Sequence, residues 1–253
     1  MKQALLCVSF GTSVERARPA ITAVEDTLRE TAPERVFARA FTSSIIRRVL
    51  AGRGEEVPGV TEALETLLAQ GIEDVAVQPT HILYGNEYDK LAAEADSFRD
   101  RFRLLRIGRP LLADSRDLRT LAAALDAAYP RRAGEALVLF GHGTDHFANA
   151  AYPALQTAFR LMGREDVLVG TVEGWPVFDD ICMLLERGGC SAVHLVPLML
   201  VAGDHAMNDM AGDGPDSWRS RMEAAGYRVR CTMDGLGLLP AVRRMYREHL
   251  ETL

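Results

Sequence analysis

Ala136-Leu137-Val138-Leu139-Phe140-Gly141-His142-Gly143-Thr144 is an apolar run that ends in a histidine between two glycines. The chain makes the same construction once before, where Leu5-Leu6-Cys7-Val8 leads into Ser9-Phe10-Gly11-Thr12. The two Gly-Thr pairs are offset by 132 residues, from Gly11 to Gly143. His142 stands where the first copy has Phe10. A strand-to-loop corner that gains a metal-capable side chain in only one copy points to a specialised site.

The repeat continues downstream. Gln70-Gly71-Ile72-Glu73-Asp74-Val75-Ala76-Val77-Gln78-Pro79 matches Gly188-Gly189-Cys190-Ser191-Ala192-Val193-His194-Leu195-Val196-Pro197. Gly71 pairs with Gly189, and Pro79 with Pro197. Beyond the prolines, Gly85-Asn86-Glu87 aligns with Gly203-Asp204-His205, and again the second copy carries the histidine. Identity between the copies is low, but order and spacing mark two similar halves.

A chain of 253 residues with 48% hydrophobic and 25% charged residues has the composition of a soluble globular protein able to bury a substantial core. No apolar run approaches the length of a membrane span, and no signal-peptide pattern opens the chain. Cys7, Cys182, Cys190 and Cys231 lack metal-finger or CxxC spacing. They read as reduced thiols of a cytoplasmic protein. A net charge of −6 argues against a general nucleic-acid binder. Lys2 and Lys90 are the only lysines among 29 basic residues. Codon bias explains that excess of arginine, and so does carboxylate recognition by the guanidinium fork.

Strand patterns over 4–9, 36–41, 74–79 and 103–107 in the first half match 136–140, 167–172, 192–198 and 228–232 in the second. Helical patterns lie near 14–31, 59–70, 87–100, 114–128, 176–187, 215–225 and 238–251. In 59–70, Val60, Leu64, Leu67 and Leu68 recur at helical spacing and Gly71 closes the run. Alternating strands and helices predict an α/β protein of two doubly wound parallel-sheet domains, facing a central cleft. The break is expected near Tyr129-Pro130-Arg131-Arg132, giving domains 1–128 and 129–253.

In such sheets, functional residues gather where strands end. His142 follows the first strand of the second half, Glu173 the second, and His205 lies beyond the third. With strand order 2-1-3-4 these strands are neighbours and their loops converge. Two imidazoles and a carboxylate suit cobalt, nickel, iron or zinc. Each residue has a plainer reading. A lone histidine after a strand also serves as a hydrogen-bonded structural residue. Glu173 alone also suits the start of the helix that follows. Asp204 and Asp209 suit ligation or capping. His146 lies four residues after His142, but the flanking glycines disfavour a helix there, so it ranks second. His81 and His194 fall in strand-like segments and read as structural. His249, on a terminal amphipathic helix, reads as solvent-facing.

Leu6-Cys7-Val8-Ser9-Phe10-Gly11-Thr12-Ser13, Arg39-Ala40-Phe41-Thr42-Ser43, Gly85-Asn86-Glu87-Tyr88, Gly141-His142-Gly143, and Pro197-Leu198-Met199-Leu200-Val201-Ala202-Gly203-Asp204-His205-Ala206-Met207-Asn208-Asp209-Met210 resemble the anaerobic sirohydrochlorin cobaltochelatase family. The resemblance covers nearly the whole chain. It implies a two-domain chelatase fold similar to ferrochelatase. It also implies insertion of Co2+, as substrate metal, into sirohydrochlorin for cobalamin, with no nucleotide cofactor. By position, His142, Glu173 and His205 match the family's metal-site residues, and Glu87 matches an acidic residue facing the same cleft. His142, Glu87 and His205 form the expected catalytic set, with His142 and Glu87 as leading acceptors of pyrrole protons.

The resemblance further implies a substrate bearing acetate and propionate groups. Thr12 and Ser13 precede one expected helix, and Thr42 and Ser43 another; exposed N–H groups there suit an anion, as they equally suit ordinary capping. With Phe10 and Gly11 they make up the expected substrate-binding set. No lysine-bearing phosphate loop or dinucleotide fingerprint is present. The expected partners are sirohydrochlorin and a divalent metal ion, without nucleic acid or membrane, and a homo-oligomer is left open. Iron or nickel chelation, and a non-enzymatic tetrapyrrole or metal carrier, are the rival readings.

Overall fold

The computed structural model describes residues 2–253. The chain divides into two compact units, one running to Ala113 and taking back Val242–Leu253, the other spanning Asp114–Ala241. In the first, strands β1 (Gln3–Ser9), β2 (Val36–Phe41), β3 (Asp74–Pro79) and β4 (Leu104–Ile107) alternate with helices α1 (Arg18–Thr31), α2 (Ser44–Ala51), α3 (Val60–Ala69) and α4 (Asn86–Asp96). The second contains α5 (Ser115–Ala128), β5 (Glu135–Gly141), α6 (Ala151–Leu161), β6 (Val167–Thr171), α7 (Phe178–Gly188), β7 (Ala192–Pro197), α8 (Trp218–Ala224) and β8 (Arg228–Cys231), followed by α9 (Pro240–Glu251). Both sheets are four-stranded and parallel, in the orders β2-β1-β3-β4 and β6-β5-β7-β8.

The strand sequences explain the sheets. Every residue of β5 is buried, as a parallel strand covered on both faces requires. Val138 and Phe140 face one core with Ile181, Leu185 and Leu195, while the intervening Leu137 and Leu139 are equally buried. Trp218 closes that core by edge-on contact with Phe140, at 4.9 Å between ring centroids. In the first unit Leu6, Val8, Val75 and Val77 pack with Val60, Leu64 and Leu67 of α3.

The two sheets share a register. Val8 opposes Pro79 as Phe140 opposes Pro197. The backbone bond from Thr80 N to Val8 O (2.8 Å) recurs from Leu198 N to Phe140 O (2.7 Å). Beyond the strands, Ser43 N donates to Phe10 O (3.2 Å), and Glu173 N to His142 O (2.8 Å). The repeat read from glycine and proline landmarks is therefore a repeat of hydrogen bonds.

Four features differ from the sequence reading. The units do not part at 128/129. Helix α5 lies with the second unit, where Asp126 accepts from Arg131 and Arg164. Most of α9 returns to the first, where Tyr246 donates to Thr80 O at 2.7 Å. His249 is buried rather than solvent-facing, because it completes the stripe Val242, Met245, Tyr246. Helix α6 was not expected; Pro153 masks its pattern, yet proline is tolerated in a first turn whose N–H groups lack partners. Helix α2 is short and buries only Leu50, which weakens its periodicity; Ser43, expected ahead of a helix, does cap it, accepting from Ile46 N.

The N-terminal ends of β3 and β5 hold buried carboxylates, Asp74 and Glu135. Asp74 takes hydrogen bonds from Arg35 and Arg106. Burial opposes its ionisation, but these two arginines outweigh burial and hold its pKa below the ordinary value. Glu135 is gripped by Arg230, with bonds of 2.7 and 2.8 Å. Those bonds, working against burial, bring its pKa from 4.5 down to about 2. A depressed folded-state pKa contributes stability that is full above the ordinary value and is lost as pH falls toward 2. Glu135→Gln should therefore lower the thermal midpoint at pH 7, with a deficit that shrinks below pH 5. A deficit independent of pH would contradict this account.

Candidate metal centre

The C-terminal ends of β5, β6 and β7 bring the three expected ligands together. Ligand atoms of His142, Glu173 and His205 all lie within 4.8 Å of one another. Glu173 bridges the pair, with Oε2 3.6 Å from His142 Nδ1 and Oε1 3.9 Å from His205 Nε2. The imidazole rings stand edge to face, 4.6 Å apart. All three side chains are open to solvent to a third or more, so an incoming ion can reach them.

The local backbone explains this convergence. Beyond β6, Val172 N donates to Gly141 O and Glu173 N to His142 O, extending the parallel ladder into the loops. His142 and Glu173 are thereby set side by side. Gly143 then turns with φ +84°, a conformation that suits glycine, and its Cα packs against the Gly174 backbone. A Cβ on either glycine would overlap the other's backbone. Asn149 ties the same two loops, accepting from Thr144 N (3.1 Å) and donating to Trp175 O (2.6 Å). Tyr152 supports them from below, its hydroxyl accepting from Gly143 N. His205 arrives differently. It begins a wide π-helical turn, Ala206–Met210, anchored by the buried Ala206 and Met210.

Each imidazole has an acceptor beside its Nδ1. His142 Nδ1 lies 3.0 Å from Gly143 O, and His205 Nδ1 lies 2.7 Å from Asp209 Oδ2. A carbonyl and a carboxylate can only accept, so each of these bonds places a proton on Nδ1, and in the neutral ring Nε2 then keeps the lone pair. Two imidazoles and one carboxylate make a donor set that suits a first-row divalent transition metal.

The plainer readings of these residues lose ground. Helix α7 begins at Phe178 with Asp179 and Asp180 in its first turn, and Asp180 accepts from Val177 N. Glu173 therefore does not cap it. His146 accepts from Ala148 N at the start of a short 3-10 turn and is outside the ligand cluster. Asp204 accepts from Asn208. His194 lies in β7, bonded to Thr232 and Arg230; burial and the arginine charge push its pKa down to about 4. His81 lies just past β3 rather than within it, and burial pushes it down to about 4.

In the first unit, Phe10, Ser43 and Glu87 occupy the repeat positions of His142, Glu173 and His205. Phe10 is half exposed. Glu87 sits in the first turn of α4, with Oε2 buried and without a hydrogen-bond partner. Thr12 and Ser13 are not at an α-helix start: Thr12 Oγ1 accepts from Val14 N, a 3-10 turn follows, and α1 begins at Arg18. Gly11 turns with φ +98° against the Phe41 ring. Thr42 O accepts from Lys90, and its hydroxyl is 3.5 Å from His81 Nε2. Asn149, Tyr152 and Asp209 have supporting contacts that the sequence reading did not assign. The first two lie in or beside the unexpected α6.

The sequence model of a family described as cobalt chelatase (CbiK) matches residues 3–253. The sirohydrochlorin cobaltochelatase of Salmonella typhimurium is 44% identical over 256 residues, covering 99% of this chain and 96% of that protein. The sirohydrochlorin cobaltochelatase CbiKC of Nitratidesulfovibrio vulgaris is 37% identical over 253 residues, covering 98% and 89%. Among solved structures, SirB from Bacillus subtilis with Fe3+ superposes with a TM-score of 0.67 at 16% identity, covering 99% of this chain and 95% of that one. At that identity the likeness speaks for the fold. No helix among the described residues is long and apolar enough to cross a membrane.

Proposed function

The chain belongs to the cobalt chelatase (CbiK) family, and from that premise we propose that it inserts Co2+ into sirohydrochlorin for cobalamin biosynthesis, with no nucleotide. The observation that carries this reading is the grouping of His142, Glu173 and His205 ligand atoms within 4.8 Å on open loops. In the proposed reaction Co2+ is a substrate. It sheds water as the two imidazoles and the Glu173 carboxylate take it up, and then passes to the four macrocycle nitrogens. Two pyrrole N–H protons leave as it enters.

His142 and Glu87 are the proposed proton acceptors, with His205 completing the catalytic set. The Glu87 oxygen that has no internal partner is available for a proton. Phe10 offers an exposed ring for the macrocycle face, and the Gly11–Ser13 and Thr42–Ser43 loops are the proposed contacts for its carboxylates. Four unpaired cysteines suit the reducing cytoplasm proposed as its compartment.

Absorbance of sirohydrochlorin mixed with Co2+, Fe2+ or Ni2+ and catalytic protein tests the proposal. Multiple turnovers with Co2+ are expected. Binding that stops at one equivalent would favour a carrier, and faster turnover with iron or nickel would reassign the metal. Glu87→Gln, which keeps shape and removes the proton acceptor, should lower kcat by about 10²-fold with little change in KM for cobalt. An unchanged kcat would remove Glu87 from proton transfer.

A further inference from the structure

We propose that Asp209 is a positioning residue that acts through His205, holding its ring and tautomer so that Nε2 is presented to the metal. This inference rests on the metal site proposed above. Asp209 is outside the ligand cluster, yet its Oδ2 makes a 2.7 Å hydrogen bond with His205 Nδ1. Within the π-helical turn the two residues are four apart, and the wider turn still leaves them facing each other. The turn is fixed at its base. Ala206 and Met210 are fully buried, and Ala211 N closes it on Ala206 O at 3.1 Å. Asp209 therefore projects from a rigid support, while His205 reaches toward Glu173 from its other ring nitrogen.

The two imidazoles are thus held by unlike groups. His142 donates to a backbone carbonyl and His205 to a carboxylate. A carboxylate behind a ligating histidine fixes ring orientation and makes the far nitrogen a better donor; losing such a partner typically weakens metal binding about 10–100-fold. Without Asp209, the His205 ring can rotate and can place its proton on Nε2, where it blocks ligation.

The test is a double-substitution cycle read by Co2+ titration calorimetry on the full chain, without tetrapyrrole. Asp209→Ala should weaken Co2+ binding about 10–100-fold. Asp209→Asn keeps an acceptor but loses the charge, and should fall between Asp209→Ala and the unaltered protein. In a His205→Ala background, either change at Asp209 should cost nothing further. Additive losses, or Asp209 variants that bind Co2+ as the unaltered protein does, would overturn the positioning role. If Asp209→Ala lowers the thermal midpoint substantially, the isosteric Asp209→Asn alone decides through the same cycle. His205→Ala serves as the internal reference. Unchanged Co2+ binding in that variant would defeat the metal site itself, a failure distinct from that of Asp209.

Discussion

His205→Ala is expected to abolish cobalt insertion while leaving the protein folded. The side chain is about a third exposed, and its neighbours in the turn, Ala206 and Met210, carry the buried contacts. Its removal opens little core cavity, so the thermal midpoint should move far less than for a core Leu→Ala change, which costs about 2–5 kcal/mol. The chemical loss is large by comparison. One of two nitrogen donors disappears, and the remaining His142 and Glu173 hold the ion through fewer bonds. The rate should fall by more than the roughly 10–100-fold that follows loss of a supporting residue behind a ligand. Chelatase rate and thermal unfolding measured together decide the matter. Normal turnover would exclude His205 from the site, and inactivity through global unfolding would make it a structural histidine.

Gly143→Ala should be nearly as damaging, by a different route. The residue turns with φ +84°, which costs a non-glycine residue roughly 1–2 kcal/mol. Its added Cβ would also overlap the Gly174 backbone nitrogen, which no side-chain rotation can relieve. Relief requires the loops after β5 and β6 to part, and those loops carry His142 and Glu173. The variant should lose activity and about 3 kcal/mol of stability, the range of a named steric defect. Gly163→Ala is the control. Gly163 has φ +74° with nothing within 4 Å of the added carbon, so it bears the backbone cost alone and should keep full activity. Equal losses in the two variants would show that the close approach of the glycines is unimportant.

Much of this arrangement was legible in the sequence because it is written as a repeat. The apolar runs ending at Gly11 and Gly143 are β1 and β5, and the paired prolines Pro79 and Pro197 end β3 and β7. Strand order then makes convergence of His142, Glu173 and His205 a matter of topology, which needs no side-chain detail. What could not be read depends on contacts between distant segments. The return of α9 to the first unit is settled by packing around Tyr246, and the same packing buries His249. The role of Asp209 depends on a π-helical turn, whose extra residue per turn leaves no periodic trace over five positions. Helix α6 was hidden by its proline, and with it went Asn149 and Tyr152, which lock the ligand loops.

The most direct test of the central claim is a cobalt-edge anomalous difference map from crystals of the protein soaked in Co2+. The expected result is one strong peak within coordination distance of His142, His205 and the Glu173 carboxylate, with His205 bound through Nε2. A strong peak elsewhere, with these three side chains unengaged, would contradict it.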